Sequence, residues 1–507
     1  MITKDDYRRP SGVVGAGTSR LTVPALLDRW RRELPDRTAL VTPDGNVTWG
    51  ELGEDVERRA RELTGFGVGV GTVVGLQSAN TRCLVVDHLA IARCGAVTAM
   101  IHHPYPHSEA SRLAQMVRAA AVLRDGHMVW QAPARSHCAP ARPAPDDPLA
   151  LFFTSGTEGP LPKACLHSHA GLLDNAVAVA HDMGLEPSDT ILSASAFTHL
   201  FGYLALHLSL VSGAPQVLLA RFSPDGFRRA MAGTPVTVLF AVPTHLYDLV
   251  RDRRNLSGVA APLREIRSAG AYLPAGLVES VQARFQVPVV AHWGMSEIGA
   301  GLHTNRLDPP ETARQTVGRP VGASRVLIVE EGKAVHTPGH LGELVFSGPS
   351  LFWGYYGHPA ATDAAYLTVD GRAWFRTGDL AAWAPDGRVV FRGRVKDIVN
   401  RGGMKVSAQE VEAAVATMPN VRQVALLATP DPRLGERGLL VVSLHSDSSL
   451  DLDDVRRHLA VEGMAKFKWP EKIQVLQELP LTATGKVAKG RLRDWLSGAE
   501  VSGRLFG

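Results

Sequence analysis

The chain has 507 residues, of which 45% are hydrophobic and 21% charged, and its formal net charge is +4. This composition is typical of a globular protein, and the length is too great for one hydrophobic core, so we expect two or more domains. The small net charge argues against a nucleic-acid- or membrane-binding field, and no run approaches the roughly 18 apolar residues of a membrane-spanning helix. The N-terminus has no apolar signal core and the four cysteines lack metal-ligand spacing, so we predict a cytoplasmic location.

Helices and strands alternate in the first part of the chain. Residues 52–63 predict a charged amphipathic helix, residues 72–77 a short buried strand and residues 83–94 an apolar helix. This rhythm is typical of βαβ units and predicts a mainly parallel sheet. Residues 131–148 are rich in Pro, Ala and Arg and predict a surface loop.

A phosphate-binding pattern comes next. The predicted buried strand 149–153 leads directly into Thr154-Ser155-Gly156-Thr157-Glu158-Gly159-Pro160-Leu161-Pro162-Lys163. Hydroxyls, glycines and a lysine after a strand suit an oligophosphate, because closely spaced backbone N–H groups need small side chains. A second such segment, Leu479-Pro480-Leu481-Thr482-Ala483-Thr484-Gly485-Lys486, lies near the C-terminus. Two segments of this kind indicate nucleotide chemistry.

The second part of the chain is more β-like. Helix–strand alternation continues to residue 300, and a domain boundary is predicted near 394–397, followed by a small α+β unit. The predicted elements are strands at 325–329, 342–346, 388–392, 423–428 and 438–445, and helices at 408–418 and 452–462.

Further motifs follow one another in a specific order. They are Thr48-Trp49-Gly50-Glu51-Leu52, Phe197-Thr198-His199-Leu200-Phe201-Gly202, Ser268-Ala269-Gly270-Ala271-Tyr272-Leu273, His292-Trp293-Gly294-Met295-Ser296-Glu297, Phe375-Arg376-Thr377-Gly378-Asp379-Leu380, Gly393-Arg394-Val395-Lys396-Asp397 and Gly402-Gly403-Met404-Lys405-Val406-Ser407-Ala408-Gln409-Glu410-Val411-Glu412. With these motifs, nearly the whole chain resembles the class I adenylate-forming enzymes, the superfamily of acyl- and aryl-CoA synthetases, non-ribosomal adenylation domains and luciferases.

The resemblance implies an α/β fold in three parts. Residues 1–393 would form a large N-terminal domain of layered, mainly parallel sheets with helices, plus a β-rich subdomain. Residues 394–397 would be a hinge, and residues 398–507 a small mobile α+β C-terminal domain. Two half-reactions are also implied. A carboxylate attacks the α-phosphate of ATP, with Mg²⁺, to give an acyl-adenylate and pyrophosphate; a thiol then displaces AMP to give a thioester.

The resemblance assigns the first loop to the β- and γ-phosphates. The residues implied are Thr154, Ser155, Gly156, Thr157, Gly159 and Lys163. The chain departs from the family here, since Glu158 replaces a hydroxyl residue, Pro160-Leu161 adds one residue and Ala164 replaces a glycine. A carboxylate beside the phosphate path repels phosphate unless magnesium or Lys163 neutralises it.

Two other motifs would contact the rest of the nucleotide. The residues implied are Gly270 and Ala271 on the adenine side, together with Trp293, Gly294, Ser296 and Glu297. Trp293 would flank the adenine, the alternative being a buried core residue, and Ser296 would bond the α-phosphate. Glu297 would hold Mg²⁺, because a carboxylate oxygen suits a hard cation that also bridges phosphates.

The later motifs would act on the ribose, the hinge and the acid. By resemblance, Asp379 accepts hydrogen bonds from the ribose hydroxyls and Arg394 reaches the ribose or phosphate. Lys396 would be the hinge residue, and the loop with Gly402 and Gly403 would let the thiol arm pass. Lys486 would bridge the acid carboxylate and the α-phosphate, where a cation stabilises the charge that builds on the transferring phosphate.

The acid-binding region is predicted to be apolar. By resemblance His199 lines the acyl pocket, the alternative being a structural histidine, and the absence of an Asp at this motif argues against an amino-acid substrate. The other pocket segments, 240–243, 269–272 and 299–302, are small or apolar, and no charged residue stands out as a counter-charge. We therefore predict a hydrophobic acid: aryl, acyl or polycyclic.

Three functions remain open. The leading hypothesis is a stand-alone acyl-CoA synthetase that uses ATP, Mg²⁺ and CoA, because no carrier domain is fused to the chain. The second is an acyl-AMP ligase that loads a separate carrier protein, and the third is a nucleotide-binding relative with weak catalysis. A hydrolase is disfavoured because no Gly-x-Ser-x-Gly motif is present, and a zinc enzyme because no ligand cluster appears. The sequence leaves a homodimer open.

Overall fold

The structure is a computed structural model that describes residues 20–130, 142–154, 162–252, 254, 262–402, 404–445, 448–481 and 487–501. Two compact units are present. The first comprises the described residues within 20–154, 163–326 and 346–375, and the second comprises Pro162, 327–345 and those within 376–501. Within the described part of the chain, no helix has the length and apolar character needed to cross a membrane.

The secondary structure alternates along the chain. The helices are α1 (Val23–Glu33), α2 (Trp49–Gly65), α3 (Arg82–Arg93), α4 (His107–Met116), α5 (His169–Met183), α6 (Leu200–Ser212), α7 (Pro224–Gly233), α8 (Pro243–Arg251), α9 (Ala275–Phe285), α10 (Thr312–Gln315), α11 (Pro359–Ala364), α12 (Ala408–Val415), α13 (Leu452–Val461) and α14 (Lys489–Val501).

The strands are β1 (Thr38–Thr42), β2 (Gly45–Thr48), β3 (Val73–Gln77), β4 (Val97–Ile101), β5 (Ala121–Arg124), β6 (His127–Trp130), β7 (Pro148–Phe153), β8 (Ala164–Ser168), β9 (Ile191–Ser193), β10 (Gln216–Val217), β11 (Val238–Phe240), β12 (Glu265–Ser268), β13 (Val289–Met295), β14 (Gly299–His303), β15 (Arg319–Pro320), β16 (Arg325–Glu330), β17 (Lys333–Val335), β18 (Gly342–Ser347), β19 (Gly354–Tyr355), β20 (Tyr366–Val369), β21 (Arg372–Trp383), β22 (Val389–Arg394), β23 (Ile398–Arg401), β24 (Met404–Ser407), β25 (Val421–Asp431), β26 (Gly435–Leu444) and β27 (Lys472–Val475).

Two large sheets organise the first unit. One has the strand order β15-β14-β13-β12-β11-β9-β10-β1-β2 and the other β19-β8-β7-β4-β3-β5-β6. Their central strands pair in parallel and their edge strands antiparallel. Strands such as β3 and β4 are buried along their whole length, as expected for parallel strands with covered faces. The predicted α/β fold with mainly parallel sheets is confirmed.

The second unit is richer in antiparallel strands. One sheet runs β17-β16-β18-β21 with β22 paired to β21, and the other runs β24-β23-β26-β25 with β27 paired to β26. Strands β25 and β26 form a long hairpin that packs with α12 and α13 around a core containing Val411, Leu426 and Leu440. The small α+β unit predicted after residues 394–397 corresponds to this second sheet with α12 and α13, and its strands are longer than the sequence indicated. The second unit also contains residues 327–345 and 376–393.

One predicted helix starts clearly earlier than expected. Helix α2 begins at Trp49, three residues before the predicted start, because Thr48 and Glu51 form a capping box. The Thr48 Oγ1 accepts from Glu51 N, and the Glu51 carboxylate accepts from Thr48 N, so two end N–H groups are satisfied. The hydrophobic period of this segment shows only where the apolar face begins, whereas the cap fixes the start of the helix.

Three histidines are buried in the core of the first unit. His88 Nδ1 lies 3.0 Å from Thr98 Oγ1 and its Nε2 2.8 Å from Tyr203 Oη, while His169 Nδ1 accepts from a backbone N–H. The His207 ring lies 4.1 Å from that of Tyr203. Burial lowers the pKa of both His88 and His169 to about 3 and holds the pKa of His207 well below its ordinary value. All three are therefore neutral in the folded protein at neutral pH.

We predict that acid destabilises this protein through these histidines. Below a pH of about 6.5 these histidines are protonated in the unfolded chain but stay neutral in the folded protein. The free energy of unfolding therefore falls as the pH drops from there toward about 3, by roughly 1.4 kcal/mol per pH unit for each histidine. His88→Gln should reduce this slope by about one proton, measured by urea unfolding between pH 6.5 and 4.5. An unchanged slope would contradict the assignment, and His340→Gln at an exposed position is the matched control.

Candidate active site

The neck of the predicted phosphate loop lies between β7 and β8. Thr154 N donates to Lys163 O at 2.8 Å, and Lys163 N donates to Thr154 Oγ1 at 3.0 Å. These bonds extend the antiparallel β7–β8 ladder and fix where Lys163 leaves the sheet. The other predicted loop residues, Ser155, Gly156, Thr157 and Gly159, lie outside the described residues.

A tyrosine connects two of the predicted site residues. The Lys163 Nζ lies 4.6 Å from the centre of the Tyr355 ring, and the Tyr355 hydroxyl donates to Glu297 Oε1 at 2.8 Å. Strand pairing with β8 fixes Tyr355, and its N–H donates to Thr362 Oγ1. Lys163, predicted to bind phosphate, and Glu297, predicted to bind the metal, therefore contact the ring and the hydroxyl of the same tyrosine. Sequence reasoning missed Tyr355, whose role depends on a contact with a residue 58 positions away.

Two hydrogen bonds fix the backbone of the turn that contains Glu297. His167 Nε2 donates to the carbonyl oxygen of Ser296 at 2.7 Å, and Phe352 N donates to that of Glu297 at 2.8 Å. Trp293 and Glu297 are both buried. Gly294 allows β13 to approach β14, because a Cβ there would lie 1.9 Å from the carbonyl oxygen of Gly299.

The parallel strands β11, β12 and β13 end at the same edge of their sheet. Gly270 and Ala271 follow β12 and are exposed, and Trp293 and Gly294 lie at the end of β13. The edge formed by the carboxyl ends of parallel strands is where ligands bind in open α/β sheets. The predicted adenine residues therefore meet at an edge suited to a ligand.

His199 lies at the start of α6 beside a second histidine. The rings of His199 and His102 are 4.4 Å apart, and His102 Nδ1 lies 3.1 Å from Thr198 Oγ1. Burial, with a smaller contribution from His103, lowers the pKa of His102 to about 4, so its ring is neutral at neutral pH. His102 follows β4, and sequence reasoning missed it; a histidine directly after a buried strand was the available signal.

A buried ionic network lies below the ends of β12 and β13. The Arg267 side chain is only 1% exposed, and its Nη2 lies 2.9 Å from Glu265 Oε2. No charged residue was expected as a counter-charge to a polar substrate tail, and Arg267, which lies two residues before the segment 269–272, is neutralised by Glu265. Residues two apart on a strand share a face, so Glu265 and Arg267 could have been paired from the sequence.

Two residues predicted to contact the ribose form an ion pair in the second unit. Asp379 and Arg394 are opposite each other on β21 and β22, and Arg394 Nε donates to Asp379 Oδ1 at 2.7 Å. Thr377 Oγ1 accepts from Asp379 N at 3.0 Å and fixes the carboxylate's backbone. The structure thus brings together two residues that were predicted separately.

The predicted hinge segment is tied to helix α14. Lys396 lies in a short 3₁₀ turn, Val395–Asp397, and Asp397 Oδ1 pairs with Arg493 at 2.6 Å. Burial opposes ionisation of Asp397, but Lys489 and Arg493 hold the pKa of its carboxyl below its ordinary value. The Asp397 carboxylate is therefore a charged anchor for the turn that contains Lys396.

The glycine loop after the hinge is described in part. Gly402 has φ = +58°, a conformation that favours glycine, and its N–H donates to Leu434 O at 2.7 Å. Gly403 and Lys486 lie outside the described residues. Within the described ranges, no group of three or more His, Cys, Asp or Glu side chains is arranged to hold a metal ion.

The chain is similar to known proteins over most of its length. The family model described as AMP-binding enzyme matches residues 27–356, and that of the AMP-binding enzyme C-terminal domain matches residues 410–486. A sulfoacetate–CoA ligase from Cupriavidus necator is 29% identical, covering 93% of this chain and 97% of that protein. A salicylyl-CoA synthase / salicylate adenylyltransferase from a Streptomyces species is 30% identical, covering 93% of each. The solved structure of ATP-bound MatB from Rhodopseudomonas palustris has a TM-score of 0.80 at 26% identity, covering 94% of this chain and 99% of that one.

We predict that Tyr355 stabilises the Glu297 carboxylate. Tyr355→Phe keeps the ring beside Lys163 but removes the donated hydrogen bond, and should lower the free energy of unfolding by about 1.5–3 kcal/mol, as for a bond to a charged group. The measurement is urea unfolding of the variant with and without Glu297→Gln. The loss should be smaller beside the neutral amide, and an equal loss in both backgrounds would contradict this role.

Proposed function

Because this chain belongs to the AMP-binding enzyme family, we propose that it activates a carboxylic acid with ATP and then transfers the acyl group to CoA. The enzyme is an acid–thiol ligase of the AMP-forming class, and ATP, Mg²⁺ and CoA are its cosubstrates and metal. The single observation that carries the proposal is that Lys163 contacts the ring of Tyr355 while Glu297 accepts a hydrogen bond from its hydroxyl. A cation and a buried carboxylate held by one rigid side chain suit a metal-bound polyphosphate.

The residues present fit a magnesium ion. Glu297 would hold it, since one carboxylate together with substrate phosphates is a usual magnesium ligand set. When bound, magnesium supplies positive charge to the phosphate oxygens. The Tyr355 hydroxyl orients the Glu297 carboxylate through one oxygen, and the Lys163 Nζ would neutralise the outer phosphates.

In the first half-reaction, an oxygen of the acid carboxylate attacks the α-phosphorus of ATP. The bond from that phosphorus to the bridging oxygen breaks, and pyrophosphate leaves with the electron pair. Trp293 would flank the adenine, Ser296 would bond the α-phosphate and Asp379 the ribose. We place Lys486 between the two anions, where it lowers their repulsion and stabilises the charge of the transition state.

In the second half-reaction, the thiol sulfur of CoA attacks the acyl carbon. The bond from that carbon to the phosphate oxygen breaks, AMP leaves with the electron pair, and the thiol proton is released to solvent. We assign residues 1–393 and 398–507 to the two domains and residues 394–397 to the hinge between them. Rotation at Lys396 would replace Lys486 by the Gly402–Gly403 loop, past which the thiol arm enters. The ion pairs of Asp397 with α14 support this assignment, because they give the turn a fixed attachment in the second unit.

We propose a hydrophobic acid as the substrate class. The Phe201 and Phe240 rings lie 5.2 Å apart, and Ala241 and Ala300 are buried among apolar side chains. The relatives act on acids as different as sulfoacetate and salicylate, so no relative's acid is carried over. An acyl-AMP ligase that loads a separate carrier protein is the alternative. We place the reaction in the cytoplasm.

The first experiment measures pyrophosphate and AMP release from the purified protein with ATP and magnesium. A panel of aryl, acyl and polycyclic acids is supplied with and without CoA. We expect a hydrophobic acid to yield AMP and its CoA thioester only when CoA is present. Pyrophosphate release without thioester would favour the carrier-protein ligase, and silence with every acid would contradict the proposed ligase.

We predict that two lysines separate the half-reactions. Lys486→Ala should abolish acyl-adenylate formation, by about 100-fold or more, because the two anions lose the cation between them. Thioester formation from supplied acyl-adenylate should remain largely intact. Lys396→Pro should block thioester formation more than acyl-adenylate formation, because proline restricts the backbone rotation of the turn.

Each variant serves as the control for the other. Both half-reactions are measured for both proteins, with circular dichroism to confirm that each is folded. Equal loss of both half-reactions in Lys486→Ala would remove its assignment to adenylation. An unchanged thioester step in Lys396→Pro would remove the hinge assignment.

A further inference from the structure

A closed set of charges lies beneath the apolar segments near the proposed acid pocket. Arg267 Nε and Nη2 lie 3.1 and 2.9 Å from Glu265 Oε2, and Arg264 Nη1 lies 2.9 Å from Glu265 Oε1. Arg264 also forms two hydrogen bonds with Asp189. Two cations and two carboxylates are therefore paired with one another, and the network carries no net charge.

The remaining hydrogen bond of Arg267 fixes the state of a histidine. Arg267 Nη1 lies 2.9 Å from His292 Nε2. A guanidinium has only donors, so Nε2 must accept, and the hydrogen of the neutral ring then lies on Nδ1. Burial, Arg267 and His303 together hold the pKa of His292 well below its ordinary value, so the ring stays neutral.

The Nδ1–H of His292 is a buried donor without a partner. His292 is 7% exposed, and no acceptor among the described residues bonds its Nδ1. Buried donors in native proteins nearly always have a partner, and one without a protein partner is a position for a ligand or water. Arg267 blocks the other nitrogen, so the ring cannot satisfy Nδ1 by changing tautomer.

The surroundings of this donor are aromatic. His292 directly precedes Trp293, and its ring lies 5.7 Å from Phe201 and 6.4 Å from Phe240. Phe201 is two residues after His199, and Phe240 begins one of the apolar pocket segments. His303 stacks on the His292 ring at 5.2 Å. A fixed donor thus lies among aromatic rings that were assigned to bind a hydrophobic acid.

We propose that His292 Nδ1–H is the specificity-determining donor for an oxygen atom on the acid. This inference rests on the proposed function and narrows its substrate class to a hydrophobic acid that bears a neutral oxygen acceptor, such as an ether or carbonyl. A second carboxylate is disfavoured, because Glu265 already neutralises Arg267 and the imidazole is uncharged. Arg267 and Glu265 act as positioning residues for the ring.

The test uses pairs of acids of equal shape. Methoxybenzoates are compared with ethylbenzoates substituted at the same ring position, and oxoalkanoates with the corresponding all-carbon alkanoates. The wild-type enzyme should prefer the oxygen member by about 30-fold or more in kcat/KM for pyrophosphate release, because a site that bonds a substrate acceptor rejects the analogue without it. His292→Leu should reduce this preference to about two-fold.

Two further variants separate a specificity role from a structural one. His292→Asn keeps an N–H near the position of Nδ1 and should restore part of the preference, and it decides the test if His292→Leu fails to fold. Phe201→Leu changes the wall without changing a donor and should weaken both members of a pair alike. Equilibrium binding of the same pairs, followed by tryptophan fluorescence, gives a readout that does not need turnover.

The outcomes distinguish a failure of the specificity role of His292 from a failure of the proposed ligase function. If the wild type turns over or binds both members of every pair equally, or if its preference survives in His292→Leu, the specificity role is overturned while the ligase stands. If no acid releases pyrophosphate, the proposed function itself fails, and the binding preference still reports on His292. A preference lost in His292→Leu and partly regained in His292→Asn supports the proposal.

Discussion

A polar side chain that is buried with the parallel strands of the first unit costs free energy unless it finds a partner inside the protein. Strands such as β12 are covered on both faces, so water cannot satisfy the groups that they carry. Glu265 and Arg267 meet this constraint by pairing with each other on one face of β12. His88 meets it with Thr98 and Tyr203. The core thus contains a few paired polar groups, and burial among them keeps histidines such as His88 and His292 neutral.

The same strands determine where the candidate site lies. Parallel pairing brings the ends of β11, β12 and β13 to one edge, and the turns that follow carry small residues and the buried Glu297. Tyr355 reaches this carboxylate from β19, which pairs with the strand that begins beside Lys163. The site is therefore assembled from segments that are distant in the chain but adjacent in the two sheets.

The sequence predicted those features that depend on local pattern. The buried strand predicted at 149–153, helix α3 and the βαβ rhythm follow from runs of apolar residues, and motif order was sufficient to identify the family. The start of α2 was missed because a cap, and not the hydrophobic period, fixes it. The contacts of Tyr355 with Glu297 and of Arg267 with His292 were not predicted. They depend on which strands become neighbours and in what register, and one sequence does not state this.

The closed charge network beneath His292 has a consequence for how such a pocket can change. Replacing Arg267 alone would strand the Glu265 carboxylate in the interior, and replacing Glu265 alone would leave the guanidinium with a buried, unbalanced charge. Either single replacement is expected to cost about 3–5 kcal/mol of stability, whereas exchange of the whole pair for apolar residues of similar volume is often neutral or stabilising. We therefore expect Glu265 and Arg267 to be exchanged together, and, if His292 selects the acid as proposed, evolution toward a purely hydrocarbon acid would exchange all three residues together.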